Sequence, residues 1–248
     1  MLNISVEDFL DREGLFLRTT AEIDEKIERS RGLSFLRRLK GINAGTRAEV
    51  IDHYNLMAQR IEGIPIYDIY ASRYRVGTKW ALDRLMTDSL SLPNEYVLDV
   101  GCGTGTISCL LGLQFPKRRI YGFDFAPSVV EVSRQRAEKN KLKNVKFEAK
   151  DLDDLKTRKT YGLVIASGCM SEGDIDDRTF DARLDKLQRL TSPKGKLVII
   201  ACADHNPNEM SQKVVEDENQ RLVSVSFPYK SADNEAQQVN YMLFEFKS

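Results

Sequence analysis

The chain has 248 residues, of which 42% are hydrophobic and 30% are charged, so it is long and apolar enough to bury a substantial core. Its 37 Lys and Arg side chains are matched by 37 Asp and Glu side chains, which gives a formal net charge of zero. This balance excludes a general electrostatic attraction to nucleic acid or to an anionic membrane, although it is compatible with a local basic patch.

The N-terminal region, residues 1–89, has a helical pattern and shows no targeting signal. No basic segment precedes an apolar run there, and no apolar run in the chain approaches membrane-spanning length. Ser5 is a candidate N-cap, Pro65 is a favoured first helical residue, and Gly77 is a candidate interruption. The predicted helical segments are 5–14, 20–41, 46–63 and 65–90. We therefore expect residues 1–89 to form a helical cap.

Residues 90–248 instead alternate between strand and helix patterns, and we expect them to form a second domain. Apolar runs without alternation, such as "LVIA" and "LVII", are typical of strands buried on both faces of a parallel sheet. The predicted strands are 95–101, 118–126, 144–151, 161–168, 195–203, 221–229 and 238–247. Helices are predicted between them at 104–114, 127–141, 153–158 and 175–190.

The last two predicted strands are longer and are joined by a polar loop, so they are expected to be antiparallel. Pro228 lies inside the first of them and predicts an edge strand, because proline cannot donate a ladder hydrogen bond. The predicted fold class is α/β, with a doubly wound, seven-stranded, mostly parallel sheet, an antiparallel C-terminal strand pair and a helical N-terminal cap.

A glycine-rich turn follows the first predicted strand, in "VLDVGCGTGTISCLLG" at residues 97–112. Gly101, Gly103 and Gly105 lie where the strand pattern gives way to a helix, which is the usual geometry of a nucleotide-binding turn. A dinucleotide site would require glycine or alanine at the position of Thr106. The spacing therefore disfavours a dinucleotide ligand.

Three acidic residues lie at or near the carboxyl ends of successive predicted strands, namely Asp99, Asp124 and Asp151. Open α/β sheets bind their ligands at this edge. A carboxylate at Asp124, 19 residues beyond Gly105, is placed to accept hydrogen bonds from ribose hydroxyls. Acids around the turn also suit a cationic ligand better than a pyrophosphate.

These segments together resemble class I S-adenosylmethionine-dependent methyltransferases of the small-molecule type. The resemblance covers roughly residues 90–203 and consists of "VLDVGCGTG", "YGFDFAPSVVEVSRQRAEKN", "VKFEAKDLDDL", "YGLVIASG" and "PKGKLVII" in the family's order. It implies S-adenosylmethionine as the cofactor. It also implies that Asp99 and Gly101 hold the methionine amino group and that Gly103 and Gly105 make room for the cofactor.

The same resemblance implies the rest of the cofactor site. Asp124 would bind the ribose hydroxyls and Phe125 would flank the adenine. Asp151 and the backbone of Leu152 would contact the adenine edge, although the neighbouring acids leave open which carboxylate does so. Ser167 would face the methionine moiety or the acceptor.

The acceptor side carries no specific motif. Tyr67 and Tyr74 are candidate catalytic residues, but a helix packing its aromatic face on the sheet explains their spacing equally well. His205 follows the fifth predicted strand and is a candidate general base, whereas His53 is expected at the edge of the core. Arg73 and Arg75 are candidate ligands for an acceptor carboxylate, and for Arg75 the helix-packing alternative is favoured.

The predicted function is methyl transfer from S-adenosylmethionine to a small-molecule acceptor, without nucleic acid or membrane as partner. Two alternatives remain open: a protein or RNA methyltransferase that docks through its N-terminal helices, and a non-catalytic cofactor-binding subunit. The four cysteines lack C-x-x-C spacing, and we expect a cytoplasmic protein with reduced thiols and no metal site. The sequence does not define the acceptor or the oligomeric state.

Overall fold

The computed structural model describes residues 4–40, 46–170, 177–203, 211–216 and 218–247. The N-terminal region forms a series of short helices and one two-stranded ribbon. Its elements are α1 (Val6–Arg12), α2 (Thr20–Arg31), α3 (Leu33–Lys40), α4 (Arg47–Met57), β1 (Arg60–Ile61), β2 (Ile64–Pro65), α5 (Ile66–Ala71), a 3-10 turn (Ser72–Tyr74) and α6 (Arg75–Asp88).

Side-chain caps define where several of these helices begin. The Ser5 side chain accepts the Asp8 backbone N–H, as expected for an N-cap. Thr19 and Thr46 each form a reciprocal capping box with the glutamate three residues later. The predicted segment 20–41 is two helices, because Gly32 adopts a left-handed φ of 86° between α2 and α3.

Gly77 does not interrupt its helix, contrary to the prediction. The break lies at the 3-10 turn, and Gly77 is inside α6. A Cβ atom at Gly77 would lie 2.4 Å from Cε1 of Tyr229. The glycine therefore allows α6 to pack closely against the C-terminal strands of the sheet.

The remaining described residues form an eight-stranded sheet with three helices. The strands are β3 (Tyr96–Val100), β4 (Arg119–Asp124), β5 (Val145–Ala149), β6 (Tyr161–Ser167), β7 (Thr191–Ala203), β8 (Ser211–Glu216), β9 (Gln220–Lys230) and β10 (Ala236–Phe246). The helices are α7 (Thr106–Gln114), α8 (Pro127–Lys139) and α9 (Asp177–Leu190).

The strand order is β5-β4-β3-β6-β7-β10-β9-β8. The first five strands in this order are parallel, and β10, β9 and β8 are antiparallel to their neighbours. The predicted fold class is confirmed. The chain runs outward from β3 to β5 and returns to β6 on the other side of β3, so the topological switch point lies between β3 and β6.

Three details differ from the prediction. The edge strand β8 was not predicted, and it pairs with β9 up to Ser226, so β9 is not an edge strand there. Pro228 lies two residues beyond this pairing and is opposite Gln238 of β10. The predicted helix at 153–158 is wrong, since that segment contains only a turn followed by irregular backbone.

The apolar residues form three clusters. Two of them cover the faces of the large sheet, and α1 and α6 contribute to one of these through residues such as Phe9 and Leu85. The third cluster lies within α2, α3, α4, the β1–β2 ribbon and α5. We call this third unit, residues 20–40 and 46–71, the cap. Within the described residues, no helix is both long and apolar enough to cross a membrane.

Because Gly77 packs against the Tyr229 ring, we expect its replacement by alanine to lower the stability of the protein instead of raising it. Glycine to alanine in a helix interior normally stabilises by up to about 1 kcal/mol. Here Gly77→Ala is expected to destabilise the protein by about 1 to 3 kcal/mol, because the new methyl group overlaps a ring in the core. Chemical denaturation measures the change, and Gly77→Ala combined with Tyr229→Leu should recover part of it. A stabilised single variant would contradict the packing described above.

Candidate functional site

The glycine turn between β3 and α7 is left-handed at three positions. Gly101, Gly103 and Gly105 have φ angles of 64°, 51° and 77°. A Cβ at Gly101 would lie 2.6 Å from Cβ of Cys169, and one at Gly105 would lie 2.7 Å from Cβ of Ser133. The nearest atom to a Cβ at Gly103 is the Tyr67 hydroxyl oxygen, 3.6 Å away.

Each glycine thus meets a different constraint. Gly101 and Gly105 avoid close contact with neighbouring protein atoms, and Gly105 in particular lets α8 and β5 approach the turn. Gly103 is the glycine whose missing side chain leaves space open, beneath the cap residue Tyr67. The resemblance implied that both Gly103 and Gly105 make room for the cofactor. In the structure, the space beside Gly105 is instead filled by Ser133 and Phe147.

Asp99, near the end of β3, has one satisfied and one unsatisfied carboxylate oxygen. The residue is 1% exposed, and Oδ2 accepts a 2.6 Å hydrogen bond from the Ser108 hydroxyl. Oδ1 is buried and has no hydrogen-bond partner within the part of the chain that the structure describes. Burial raises the pKa of Asp99 to about 7, against the effect of the Ser108 hydrogen bond. Such an oxygen requires a donor from a ligand or solvent.

Asp124, at the end of β4, is tied to the glycine turn. Its Oδ2 accepts the Gly103 backbone N–H at 3.0 Å, and its Oδ1 accepts the Ala126 N–H at 3.0 Å. Burial raises the pKa of this carboxyl group, and the two backbone donors partly oppose the shift. The carboxylate therefore holds the turn against the start of α8.

The residues that follow β4 and β5 surround the same end of the sheet. The Phe125 ring lies edge-to-face on Tyr54 of α4, with 5.5 Å between centroids. Asp151 Oδ1 accepts the Asp153 backbone N–H at 2.9 Å, and Leu152 is buried in the core. The structure therefore brings the sequence-predicted adenosine residues to one edge of the sheet, with the cap close to Phe125.

A cleft of about 690 Å³ opens at the switch point between β3 and β6. Its walls include Asp99, Gly101 and Gly103 of the turn region and Ser167 at the end of β6. The opposite walls come from the cap, the 3-10 turn and α6, including the side chains of Leu39, His53, Met57, Tyr67, Asp68, Tyr70, Arg73, Tyr74 and Leu82. The cleft therefore joins the glycine turn to a largely apolar chamber.

Most of the residues predicted for the acceptor side line the cleft. Tyr67, Arg73 and Tyr74 line the cleft, and the Arg73 guanidinium stacks 4.3 Å from the centroid of the Tyr74 ring. His53 also lines the cleft, where burial lowers its pKa. His205, the candidate base, lies outside the described residues.

Arg75 is a structural residue, as the helix-packing alternative predicted. It is buried, it pairs with the carboxylates of Glu7 and Asp11, and it donates to the carbonyl oxygen of Leu15. These contacts attach α1 to α6. Arg75 is therefore not a second acceptor ligand beside Arg73.

Sequence reasoning missed the buried guanidinium behind the turn, that of Arg136 on α8. The residue is 4% exposed and donates to the Thr104 carbonyl oxygen at 2.6 Å and to the Thr106 hydroxyl at 2.7 Å. It also pairs with Glu13 at 3.1 Å and with Asp68 of the cap. Burial alone would lower the pKa of Arg136, but the two carboxylates raise it.

The sequence around Arg136 did not distinguish a buried arginine from a solvated one. It lies in "SRQRAEKN", where several charged residues alternate along a helix and most of them are solvated. Glu13 and Asp68 are far from it in sequence, so no local spacing links the three. Burial would raise the pKa of Glu13, but Arg136, Asn140 and Lys139 together lower it. The group is therefore charged and internally paired.

The fold and the site define a class of protein, an α/β domain with a glycine-rich turn beside a cleft at the switch point of its sheet. A family model described as a methyltransferase domain matches residues 91–246. Because the match covers more than half of the chain, the chain belongs to this family. This is the family of class I S-adenosylmethionine-dependent methyltransferases, as the resemblance predicted.

Individual relatives match shorter stretches. Malonyl-[acyl-carrier protein] O-methyltransferase of Acetivibrio thermocellus is 37% identical over 101 residues, which are 41% of this chain and 34% of that relative. The protein of the same name from Bacillus cereus is 29% identical over 113 residues, 45% of this chain and 41% of the relative. The chain therefore spans about a third to two fifths of the length of these relatives.

A solved structure is also similar. Magnesium protoporphyrin IX methyltransferase from Synechocystis PCC 6803, determined with bound S-adenosylmethionine, is 15% identical to this chain. The alignment covers 93% of this chain and 100% of that one, with a TM-score of 0.49.

The residues present fit this cofactor. Asp99 offers a buried carboxylate oxygen that has no donor among the described residues, and a methionine ammonium would supply one. The atoms nearest to a Cβ at Gly103 would be those of Tyr67, at van der Waals distance, and both residues line the cleft. Both features belong to the walls of the same cleft, so the fit does not depend on either alone.

Removing the Arg136 guanidinium is expected to destabilise the protein strongly. Arg136→Met leaves Glu13 and Asp68 buried without their partner, a loss of about 3 to 5 kcal/mol. The matched control is Arg134→Met on the same helix, whose half-exposed guanidinium pairs with Glu131 at 3.6 Å and donates to the Phe147 carbonyl oxygen at 3.2 Å. Its loss should be about 1 to 2 kcal/mol, because no buried charge is left without its partner. Denaturant unfolding measures both. Similar losses of stability in the two variants would contradict the conclusion that the buried ion pairs of Arg136 stabilise the fold more than the contacts of Arg134.

Proposed function

We propose that this enzyme transfers the methyl group to a small-molecule acceptor held in the cleft between the glycine turn and the cap. The observation that carries the proposal is the continuity of the 690 Å³ cleft from Asp99 and Gly103 to the apolar and tyrosine side chains of the N-terminal region. Ligand sites of this kind are concave, largely apolar and provided with a few polar groups. The chamber is large enough for the methionine end of the donor and an acceptor group.

The cofactor would be held mainly by three carboxylates. Asp99 Oδ1 would accept a hydrogen bond from the methionine ammonium, beside the backbone of Gly101. Asp124 would receive the ribose hydroxyls, while its hydrogen bonds to backbone N–H groups keep the carboxylate in place. Asp151 and the backbone of Leu152 would contact the adenine edge, and Phe125 would flank the adenine.

When bound, S-adenosylmethionine supplies a methyl group already activated by the sulfonium, so the chain mainly has to align the acceptor and exclude water. Tyr67 lies over Gly103, and its hydroxyl is placed to orient a polar acceptor group near the donor. Tyr74 and Ser167 lie on other walls of the same cleft. The cap, as the lid of the site, keeps water from this region.

A carboxylate is the acceptor group that the cleft favours. Arg73 lines the cleft, and its guanidinium is fixed by the Tyr74 ring, by a 3.3 Å hydrogen bond to the Thr20 hydroxyl and by attraction to the nearby carboxylate of Asp233. Guanidinium groups bind carboxylates in a bidentate geometry. A carboxylate is already ionised near neutral pH and needs no general base. The two curated relatives are named O-methyltransferases, in agreement with an oxygen nucleophile.

The experiment is a methyl-transfer assay with methyl-labelled S-adenosylmethionine and a panel of apolar carboxylic acids. Their amides and matched amines serve as controls. We expect labelled methyl esters and S-adenosylhomocysteine in equal amounts. Arg73→Met should raise KM for the acid by about tenfold or more, the loss expected for a charged hydrogen bond, without changing cofactor affinity. Labelling of protein or RNA alone would favour the docking alternative, and cofactor binding without transfer would favour a non-catalytic subunit.

The pKa of Asp99 predicts how cofactor affinity depends on pH. Its ionised form binds the ammonium, and its pKa without ligand is about 7, so protonation competes with binding below that pH. Affinity for S-adenosylhomocysteine should therefore rise as pH increases from 6 towards 7 and level off above 8. Calorimetric titration across this range measures the profile.

The control is Asp99→Asn, which cannot titrate. It should bind more weakly and show a flatter profile than the wild type over the same pH range. The carboxyl group of Asp124, whose pKa is also raised, remains in this variant and accounts for any remaining slope. An unchanged slope in Asp99→Asn would contradict the assignment of the ammonium to Asp99.

The open space at Gly103 gives a steric prediction. Gly103→Val should abolish binding of S-adenosylhomocysteine, because its side chain would fill the space between the turn and Tyr67 at the wall of the cleft. Gly63→Val is the matched control, since Gly63 has a left-handed φ of 82°, no described atom within 4 Å of its Cβ position and a place outside the cleft. Both should lose comparable stability from backbone strain. Normal binding by a folded Gly103→Val would mean that the cofactor does not approach this turn.

A further inference from the structure

Asp68 on α5 is a buried carboxylate outside the cofactor motif, and it contacts the glycine turn directly. The residue is 1% exposed and lines the cleft. Its Oδ1 accepts a 2.7 Å hydrogen bond from the Thr104 hydroxyl, and its Oδ2 pairs with Arg136. Thr104 is the turn residue between Gly103 and Gly105, and it lines the cleft as well.

These contacts make Asp68 a bridge between the cap and the turn. Arg136 holds the turn through the Thr104 carbonyl and the Thr106 hydroxyl. Asp68 connects the cap to the same group of hydrogen bonds. It follows Tyr67 in the sequence, and the Tyr67 hydroxyl lies over Gly103. The cap cannot move away from the turn without separating Asp68 from both Arg136 and Thr104.

Glu13 provides an internal comparison because it pairs with the same guanidinium without touching the turn. It follows α1, is buried, and contacts Arg136, Asn140 and Lys139. Losing either carboxylate removes one negative charge from around Arg136. Only Asp68 belongs to the cap and only Asp68 reaches Thr104.

We propose that Asp68 is a positioning residue that closes the cap over the glycine turn and thereby sets the rate at which the cofactor product leaves. The inference rests on the proposed cofactor site. Separation of Asp68 from Arg136 and Thr104 is the step that opens this wall of the cleft. Because the buried groups of Asp68, Arg136 and Thr104 all lose a partner in that step, opening is disfavoured and product release is slow. Any ligand that binds the closed form more tightly slows opening further.

The first test is the dissociation rate of S-adenosylhomocysteine from wild type, Asp68→Asn and Glu13→Gln, measured by rapid exchange of labelled ligand. Both substitutions are isosteric and each removes one partner of Arg136. We expect Asp68→Asn to release the ligand about tenfold faster than the wild type, within the usual range of coupling between two sites. Glu13→Gln should stay close to the wild-type rate, although its stability falls. Equal rates in the two variants would overturn the inference.

Hydrogen exchange supplies a readout that general destabilisation would not reproduce. Ligand binding should protect the backbone amides of residues 64–74 in the wild type and in Glu13→Gln. In Asp68→Asn the same ligand should protect them much less, at concentrations that saturate the site. Equal protection in all three proteins would show that Asp68 does not couple the cap to the turn.

A second variant covers the case in which Asp68→Asn does not fold. Thr104→Val removes the hydroxyl that donates to Asp68 and accepts from Arg136, but it keeps the Thr104 carbonyl oxygen that Arg136 also holds. It should also accelerate release, whereas Thr104→Ser should resemble the wild type. An unchanged rate in Thr104→Val would contradict the inference. If the folded wild type binds no S-adenosylhomocysteine, the proposed cofactor site itself fails, which is a different outcome from equal rates among binding-competent variants.

Discussion

The ion pairs of Arg136 are the interaction on which the geometry of this site depends. A guanidinium this deeply buried would destabilise the fold by several kcal/mol if it were unpaired. Here it has two carboxylate partners, and its remaining donors reach the carbonyl and hydroxyl oxygens of the glycine turn. One side chain therefore connects α8, the turn, the end of α1 and the cap.

This arrangement explains how a turn rich in glycine can be rigid. Glycine permits the left-handed angles at three positions, but it also leaves the unfolded backbone very free. Asp124 fixes the Gly103 N–H from one side, and Arg136 fixes the Thr104 carbonyl from the other. The turn is thereby prepared for its ligand, which reduces the ordering entropy lost on binding.

The N-terminal region has two structural roles, although the sequence suggested one continuous cap. Helices α1 and α6 bury residues such as Phe9 and Leu85 in the same core as the sheet. Residues 20–40 and 46–71 have a separate apolar cluster and provide the side of the cleft that faces the turn. A lid function therefore belongs to this smaller unit, and we propose it for the cap alone.

Local signals predicted the features that depend on local chemistry. The glycine turn, the strand-end acids and the buried β6 were all visible in short stretches of sequence. The helix predicted at 153–158 was wrong because acidic and basic residues there suit a solvated turn equally well. The role of Gly77 could not be predicted, since the reason for it is the Tyr229 ring, more than a hundred residues away. The same separation hid the group formed by Glu13, Asp68 and Arg136.

The most direct measurement is calorimetric titration of the purified chain with S-adenosylhomocysteine and with S-adenosylmethionine. We expect each ligand to bind with one-to-one stoichiometry and micromolar affinity, and each to displace the other from a single site. A folded sample that binds neither ligand would contradict a methyl-donor site formed by the glycine turn, Asp99 and Asp124.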